Sequence, residues 1–168
     1  MNIHIRDENI TDIQAIFDLT KIAFETEEHS SHTEQFIVNA LRASNQLTLS
    51  LVAGNNDEII GHIAFSPVHI SDGTQGWYGL GPISILPKHQ GKGIGSKLMQ
   101  AGLEAIKDLD AFGSVLLGDP QYYGRFGFKA DSRLVLESVP AEYFQILPFT
   151  AHVPTGIVTY EDAFNATA

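Results

Sequence analysis

Leu80-Gly81-Pro82-Ile83-Ser84-Ile85-Leu86-Pro87-Lys88-His89-Gln90-Gly91-Lys92-Gly93-Ile94-Gly95-Ser96-Lys97-Leu98 is the stretch that decides the fold of this chain. An apolar strand runs to Leu86, a proline ends it, a basic glycine-rich turn follows, and a helical pattern begins at once. Glycines let the backbone approach a ligand closely. The first turn of the helix leaves unpaired N–H groups and a partial positive charge facing the same space. The stretch therefore predicts an anion site, above all for a phosphate or pyrophosphate. Lys88, Lys92 and Lys97 add positive charge there, in a chain whose formal net charge is -10.

Two common phosphate motifs do not fit. A Walker loop requires Gly-x-x-x-x-Gly-Lys-Ser/Thr, but the sixth position from Gly91 is Ser96 and no Ser or Thr follows Lys97. A dinucleotide fingerprint requires Gly-x-Gly-x-x-Gly, and Gly91, Gly93 and then Ser96 break it. What fits is Gln90-x-x-Gly93-x-Gly95. It resembles the acyl-CoA pyrophosphate motif of the GNAT superfamily of N-acetyltransferases, written Arg/Gln-x-x-Gly-x-Gly/Ala. Further on, Leu116-Leu117-Gly118-Asp119-Pro120-Gln121-Tyr122-Tyr123-Gly124-Arg125-Phe126-Gly127-Phe128 resembles the second motif of that superfamily. There a strand leads into a short helix that carries a tyrosine and closes in Gly-Phe. The two motifs in this order look most like the YhbS-like branch.

The whole chain bounds the answer. At 168 residues, 43% hydrophobic and 18% charged, it reads as a single globular domain, residues 1–168, with a real core. No apolar run reaches the length of a membrane span, and Met1-Asn2-Ile3-His4-Ile5-Arg6 lacks the apolar stretch of a signal peptide. A cytoplasmic address without membrane partner is expected. The absence of cysteine excludes a thiol nucleophile, a thiolate metal site and a disulfide. Only ten Lys and Arg are available to build a basic face, which argues against nucleic acid as a partner. An acidic surface favours a cationic acceptor such as an amine.

In chain order, Ile3 to Arg6 alternates as a short strand. Thr11-Asp12-Ile13-Gln14 has capping-box spacing, and an amphipathic helix runs to about Phe24. A polar loop, Glu25 to His32, precedes a second helix at Thr33 to Arg42, with Phe36, Ile37, Ala40 and Leu41 on its buried side. Leu47 to Ala53, Ile59 to Ile70 and Trp77 to Leu86 form a meander joined by turn sequences. The helix from Gly93 to Leu109 presents Ile94, Leu98, Ala101, Gly102, Ala105, Ile106 and Leu109 on one face. Ser114 to Leu117 reads as a buried strand, Tyr122 to Phe126 as a short helix, and Leu134 to Glu137 and Gly156 to Tyr160 as final strands. The fold class is α/β (α+β mixed), a GNAT-like central mixed sheet of about seven strands with helices on both faces.

The resemblance also implies the chemistry. Acetyl-CoA is the co-substrate and is held by backbone N–H groups of Gly91, Lys92, Gly93, Ile94, Gly95 and Ser96, with Gln90 bracing the loop or touching the phosphates. Lys88, Lys92, Arg125 and Lys129 are candidates for the 3′-phosphate. Backbone groups around Ile83, Ser84 and Ile85 would polarise the acetyl carbonyl and bind the pantetheine arm. Pro82 suits a disturbed strand there, because proline removes a ladder donor. Tyr123 is the expected proton donor to the leaving thiolate, since a phenol is protonated at neutral pH, and Asp119 is a helix cap. Many family members carry a glutamate on the strand before the turn, but Gly79, Leu80 and Gly81 offer no carboxylate. The general base is left open among Glu27, Glu28, His29, His62 and water, with His69 a further candidate. His29-x-x-His32 is too thin a pattern for a metal site, so no metal is expected, and no Gly-x-Ser-x-Gly elbow is present. The expected activity is acetyl transfer to a primary amine in a ternary complex. A non-catalytic acyl-CoA-binding or regulatory module on the same fold is the alternative, and a homodimer is the assembly common in the superfamily.

Overall fold

In the computed structural model, which describes residues 1–168, a meander of strands leads into the glycine turn. The order is β1 (Ile3–Asp7), α1 (Ile13–Phe24), α2 (Glu34–Ala43), β2 (Leu49–Asn55), β3 (Glu58–Ile70), β4 (Trp77–Ile85), α3 (Ile94–Asp108), β5 (Gly113–Leu117), α4 (Pro120–Tyr123), β6 (Leu134–Val135), β7 (Phe144–Pro148) and β8 (Gly156–Tyr160). The open sheet of eight strands runs β1-β2-β3-β4-β5-β7, with β8 on the far end of β3 and β6 beside β8. Neighbours are antiparallel except β4 with β5 and β6 with β8.

The alternation of β2 shows why both faces are covered. Leu49, Leu51 and Ala53 pack with Leu98, Met99, Leu103 and Ile106 of α3. Val52, on the opposite side, packs with Ile16 of α1 and Val38 of α2. A strand buried on both faces reads as a near-continuous apolar run. Gly102 marks a close approach of α3 to the sheet, since a Cβ there would stand 2.8 Å from Phe65 Cε1 and 3.3 Å from Ile63 Cδ1. Gly102→Val is accordingly expected to cost about 1–3 kcal/mol through overpacking, measured by denaturant unfolding.

Several expectations are corrected. The mixed sheet is found, with eight strands: Phe144–Pro148, not marked as a strand by its sequence, pairs antiparallel with β5 from Leu117↔Phe144 to Gly113↔Pro148. That segment lies between Pro140 and Pro148, and proline in a strand is tolerated only at an edge or an end; β7 is both an edge strand and ends at its proline. The capping box lies two residues earlier than read. Asn9 Oδ1 accepts from the Thr11 N–H at 3.0 Å, and the Asn9 N–H donates to Asp12 Oδ2 at 2.8 Å. A 3-10 turn, Ile10–Asp12, then leads into α1. In α2 the buried set is Gln35, Ile37, Val38 and Leu41, while Phe36 sits edge-on to Phe17 of α1 at 5.6 Å. In α3, Met99 and Leu103 are buried and Leu109 is half exposed beyond the last turn.

Candidate active site

The site is an opening in the sheet. β4 and β5 pair only at Trp77↔Gly113, Tyr78↔Ser114 and Gly79↔Val115, although both strands continue. On its other side β4 stays paired with β3, through a bulge in which Ile63↔Ile83 is followed by Phe65↔Leu80. A bulge re-aims the backbone, and here it contains Gly81, at φ 145, and buried Pro82, joined by a cis peptide bond. Pairing direction beyond the bulge follows from one bond, Leu86 N–H to Ile60 O at 2.9 Å. Antiparallel pairs alternate between bonded and non-bonded, so Ser84 bonds across to His62 in β3. The backbone groups of Ile83 and Ile85 face the opening instead. Ser84 thus differs from its two neighbours: its backbone is spent on the sheet, and its side chain is buried on the α1 and α2 face.

Below the opening lies the glycine turn. Gly91 and Gly93 sit at φ 77 and 81, a left-handed conformation that side chains resist, and Gly93 is the N-cap of α3. None of the backbone N–H groups from Gly91 to Ser96 donates a hydrogen bond within the protein, and no acidic residue occupies the first turn of α3. Free donors at the positive end of a fifteen-residue helix are what an anion requires. Gln90 braces the loop: its Nε2 donates to Ile85 O at 3.1 Å. Lys92 and Lys97 are exposed, and Lys88 lies 3.2 Å from Glu58 at the surface. Gly95 matters for space, since a Cβ there would come within 2.9 Å of Tyr122 Oη.

The β5–α4 motif forms the other wall. Asp119 caps α4 by accepting from the Gln121 N–H at 2.9 Å, as its position predicts. The Tyr123 ring lies against Gly118, so closely that a Cβ there would stand 2.4 Å from Cε2. Its phenol makes no hydrogen bond within the protein, and burial, then Tyr122 and Asp119, push it up to about 12. Tyr122 stands edge-on to Tyr123 at 4.8 Å. The Arg125 guanidinium stacks on Tyr122 at 4.6 Å and reaches Ser96 Oγ at 3.5 Å. That contact ties the second motif to the first turn of α3 and places a cation at the anion site. Lys129 contributes backbone pairing with Ile146.

The candidate bases are dispersed. Glu27, Glu28 and His29 are exposed in the α1–α2 loop, and His69 pairs with Glu161 at 2.9 Å on the surface. His62 is different, being fully buried. Its Nε2 lies 2.8 Å from Ser50 Oγ. Ser50 in turn donates to the Glu8 carboxylate, which also accepts two bonds of 2.9 Å from Arg42. Glu8 and Ser50 escaped sequence reading because they meet His62 from β1 and β2, with no local spacing to signal it.

Burial pushes the His62 imidazole down to about 4, against the pull of Glu8 and with that of Arg42. An unfolded histidine titrates near its ordinary value, so between about pH 6.5 and pH 4 the unfolded chain holds the extra proton. Stability is therefore lost as pH falls through that window, by roughly 3 kcal/mol in full. Burial alone would raise the Glu8 carboxyl, but the bonds from Arg42 and Ser50 outweigh it and leave it lowered, which adds to the acid loss. A melting-temperature series should fall across that window, and His62→Gln should flatten the slope.

Known proteins resemble this chain in sequence and in fold. The model of the Acetyltransferase (GNAT) family matches residues 13–128. The chain is 32% identical over 168 residues to the uncharacterised N-acetyltransferase YhbS of Escherichia coli K12, covering 96% of this chain and 98% of YhbS. A GNAT family acetyltransferase from Brucella melitensis, solved in complex with acetyl-CoA, is 48% identical, with TM-score 0.87 over 97% of this chain and 98% of that one. YhbS from Escherichia coli in complex with CoA superposes with TM-score 0.90 at 31% identity, over 100% of this chain and 94% of that one.

Proposed function

Because the chain belongs to the acetyltransferase (GNAT) family, and with it to the N-acetyltransferases, we propose that it moves the acetyl group of acetyl-CoA directly onto a primary amine held in the same complex. The observation that carries this is the alignment of the unpaired N–H groups of Gly91–Ser96 below the opening between β4 and β5. Acetyl-CoA binds with its pyrophosphate on that helix start, Arg125 beside Ser96 adding a cation. Its pantetheine arm runs up the opening along β4. The N–H groups of Ile83 and Ile85 face the thioester there and stabilise the developing oxyanion, a large term in acyl transfer when donors are fixed in advance.

The amine nitrogen attacks the carbonyl carbon, the C–N bond forms, and the C–S bond breaks. Tyr123, on the wall opposite β4, gives its proton to the departing sulfur, and the proton that the amine nitrogen sheds through water in the attack restores the phenol. With no cysteine in the chain, a thiol-borne acyl-enzyme is excluded, which favours direct attack. The net charge of -10 favours an amine that arrives as a cation. The same reading places the protein in the cytoplasm with its donor.

The test is thiol release from acetyl-CoA against a panel of aminoglycosides, polyamines, amino acids and peptide amines. Release that depends on one amine class, with a product heavier by an acetyl group, is expected. Acetyl-CoA binding without transfer to any amine would instead favour the non-catalytic acyl-CoA module, whose motivation is the missing carboxylate at Gly79, Leu80 and Gly81.

A further inference from the structure

Gln145 is wholly buried between Phe144 and Ile146 of β7, yet its amide makes a single hydrogen bond within the protein. Its Nε2 donates to Gly118 O at 2.9 Å, and its Oε1 has no partner. Buried polar atoms left unpaired are uncommon and call for an explanation. An apolar side chain of the same length would avoid the cost of the unpaired oxygen. What the amide does instead is hold Gly118.

Gly118 joins the second wall of the opening to the helix that carries Tyr123. β5 leaves β4 after Val115, so from Leu116 onward its end is held from the β7 side. Leu117 pairs with Phe144, the Gly118 N–H donates to Tyr143 O at 2.9 Å, and the Gly118 carbonyl accepts from Gln145. That carbonyl shares one rigid peptide plane with the Asp119 N–H. Fixing its direction therefore fixes how the chain turns into Asp119, the N-cap of α4. The Tyr123 N–H donates back to Asp119 O at 3.0 Å, and the Tyr123 ring lies on Gly118 itself. Gln145 opposes Leu116, so its side chain leaves the sheet on the Leu116 face. Tyr123 packs on the same side, against the core cluster that contains Leu116.

We propose that Gln145 is a positioning residue for acetyl transfer, which sets the place of the Tyr123 phenol through its bond to Gly118. The inference rests on the transferase reading above and on the part given there to Tyr123. No hydrogen bond within the protein holds the phenol itself. Its place is set by the ring on Gly118 and by the backbone that starts at Asp119, and Gln145 fixes the peptide between those two residues. Gln145 touches neither acetyl-CoA nor the amine, and it takes up and gives away no proton. Its effect is on how well the phenol is aimed at the sulfur, and misplacement of a reacting group slows a step without weakening binding.

A double-mutant cycle of Gln145→Met and Tyr123→Phe tests this, assayed with acetyl-CoA and the amine found by the panel. Methionine keeps the length of the side chain and loses the donor. Gln145→Met should lower kcat roughly tenfold, with KM for acetyl-CoA unchanged because the glycine turn is untouched. In the Tyr123→Phe background the same substitution should cost no further kcat, since residues that act through one another are not additive. A merely structural role makes the two losses multiply. Multiplied losses, unchanged kcat in Gln145→Met, or full turnover in Tyr123→Phe would overturn the assignment while leaving the transferase intact. A wild type that binds acetyl-CoA and transfers to no amine would overturn the transferase reading, and this one with it. Should Gln145→Met fail to fold, Gln145→Glu decides. A protonated carboxyl can donate to Gly118 O and an ionised one only accepts, so kcat relative to wild type should rise as pH falls. A ratio that does not change with pH overturns the assignment.

Discussion

Gly95→Asp is expected to bind acetyl-CoA about a hundredfold more weakly than the wild-type protein while folding as well or better. The two effects have one cause. Ile94, Gly95 and Ser96 present free N–H groups, and no acidic residue stands in that first turn. A carboxylate there satisfies the helix start, worth about 0.3–1 kcal/mol in stability. It also opposes the pyrophosphate, and a unit charge at about 5 Å in an effective dielectric of about 20 costs about 3 kcal/mol, or roughly two decades in Kd. The added Cβ meets Tyr122 Oη at 2.9 Å, the far end of a side chain that can swing away. Calorimetry and a melting curve on the same sample separate the outcomes. Undiminished affinity would remove the phosphates from this turn.

Tyr123→Phe is expected to lower kcat about a hundredfold without weakening acetyl-CoA. The ring that lies on Gly118 is retained, so stability should not change, and only the hydroxyl is lost. Because the phenol is pushed up to about 12, the wild-type rate should not fall near pH 10, where an ordinary tyrosine would lose its proton. Full turnover in Tyr123→Phe would transfer the protonation of the thiolate to water. Tyr122→Phe should leave kcat near wild type, since its ring still carries Arg125.

What was legible in the sequence was local. The strand, proline, glycine turn and helix of Leu80–Leu98 declare themselves through spacing alone, as does Asp119 before Pro120 in α4. Gln90 could be read as a brace because its reach is only to Ile85. Long-range placements were not legible. β7 is a strand because β5 offers it an edge, which no pattern in Phe144–Pro148 announces. The phase of α2 is set by Phe17 and the sheet beneath it, so Val38 and Gln35 are buried where periodicity favoured Phe36. His62 was one candidate among several until the fold set it against Ser50 of β2 and, through Ser50, Glu8 at the end of β1. The division of labour on β4 between Ile83, Ser84 and Ile85 depends on the register with β3, and register is a property of the pair.

Calorimetric titration of the folded protein with acetyl-CoA tests the central claim most directly, because the turn and the β4–β5 opening have no role in the account without that ligand. One acetyl-CoA bound per chain, with heat abolished or sharply weakened in Gly95→Asp, is the predicted result. A folded wild-type protein that takes up no acetyl-CoA would contradict it, and the free N–H groups of Gly91–Ser96 would then be only the start of a helix.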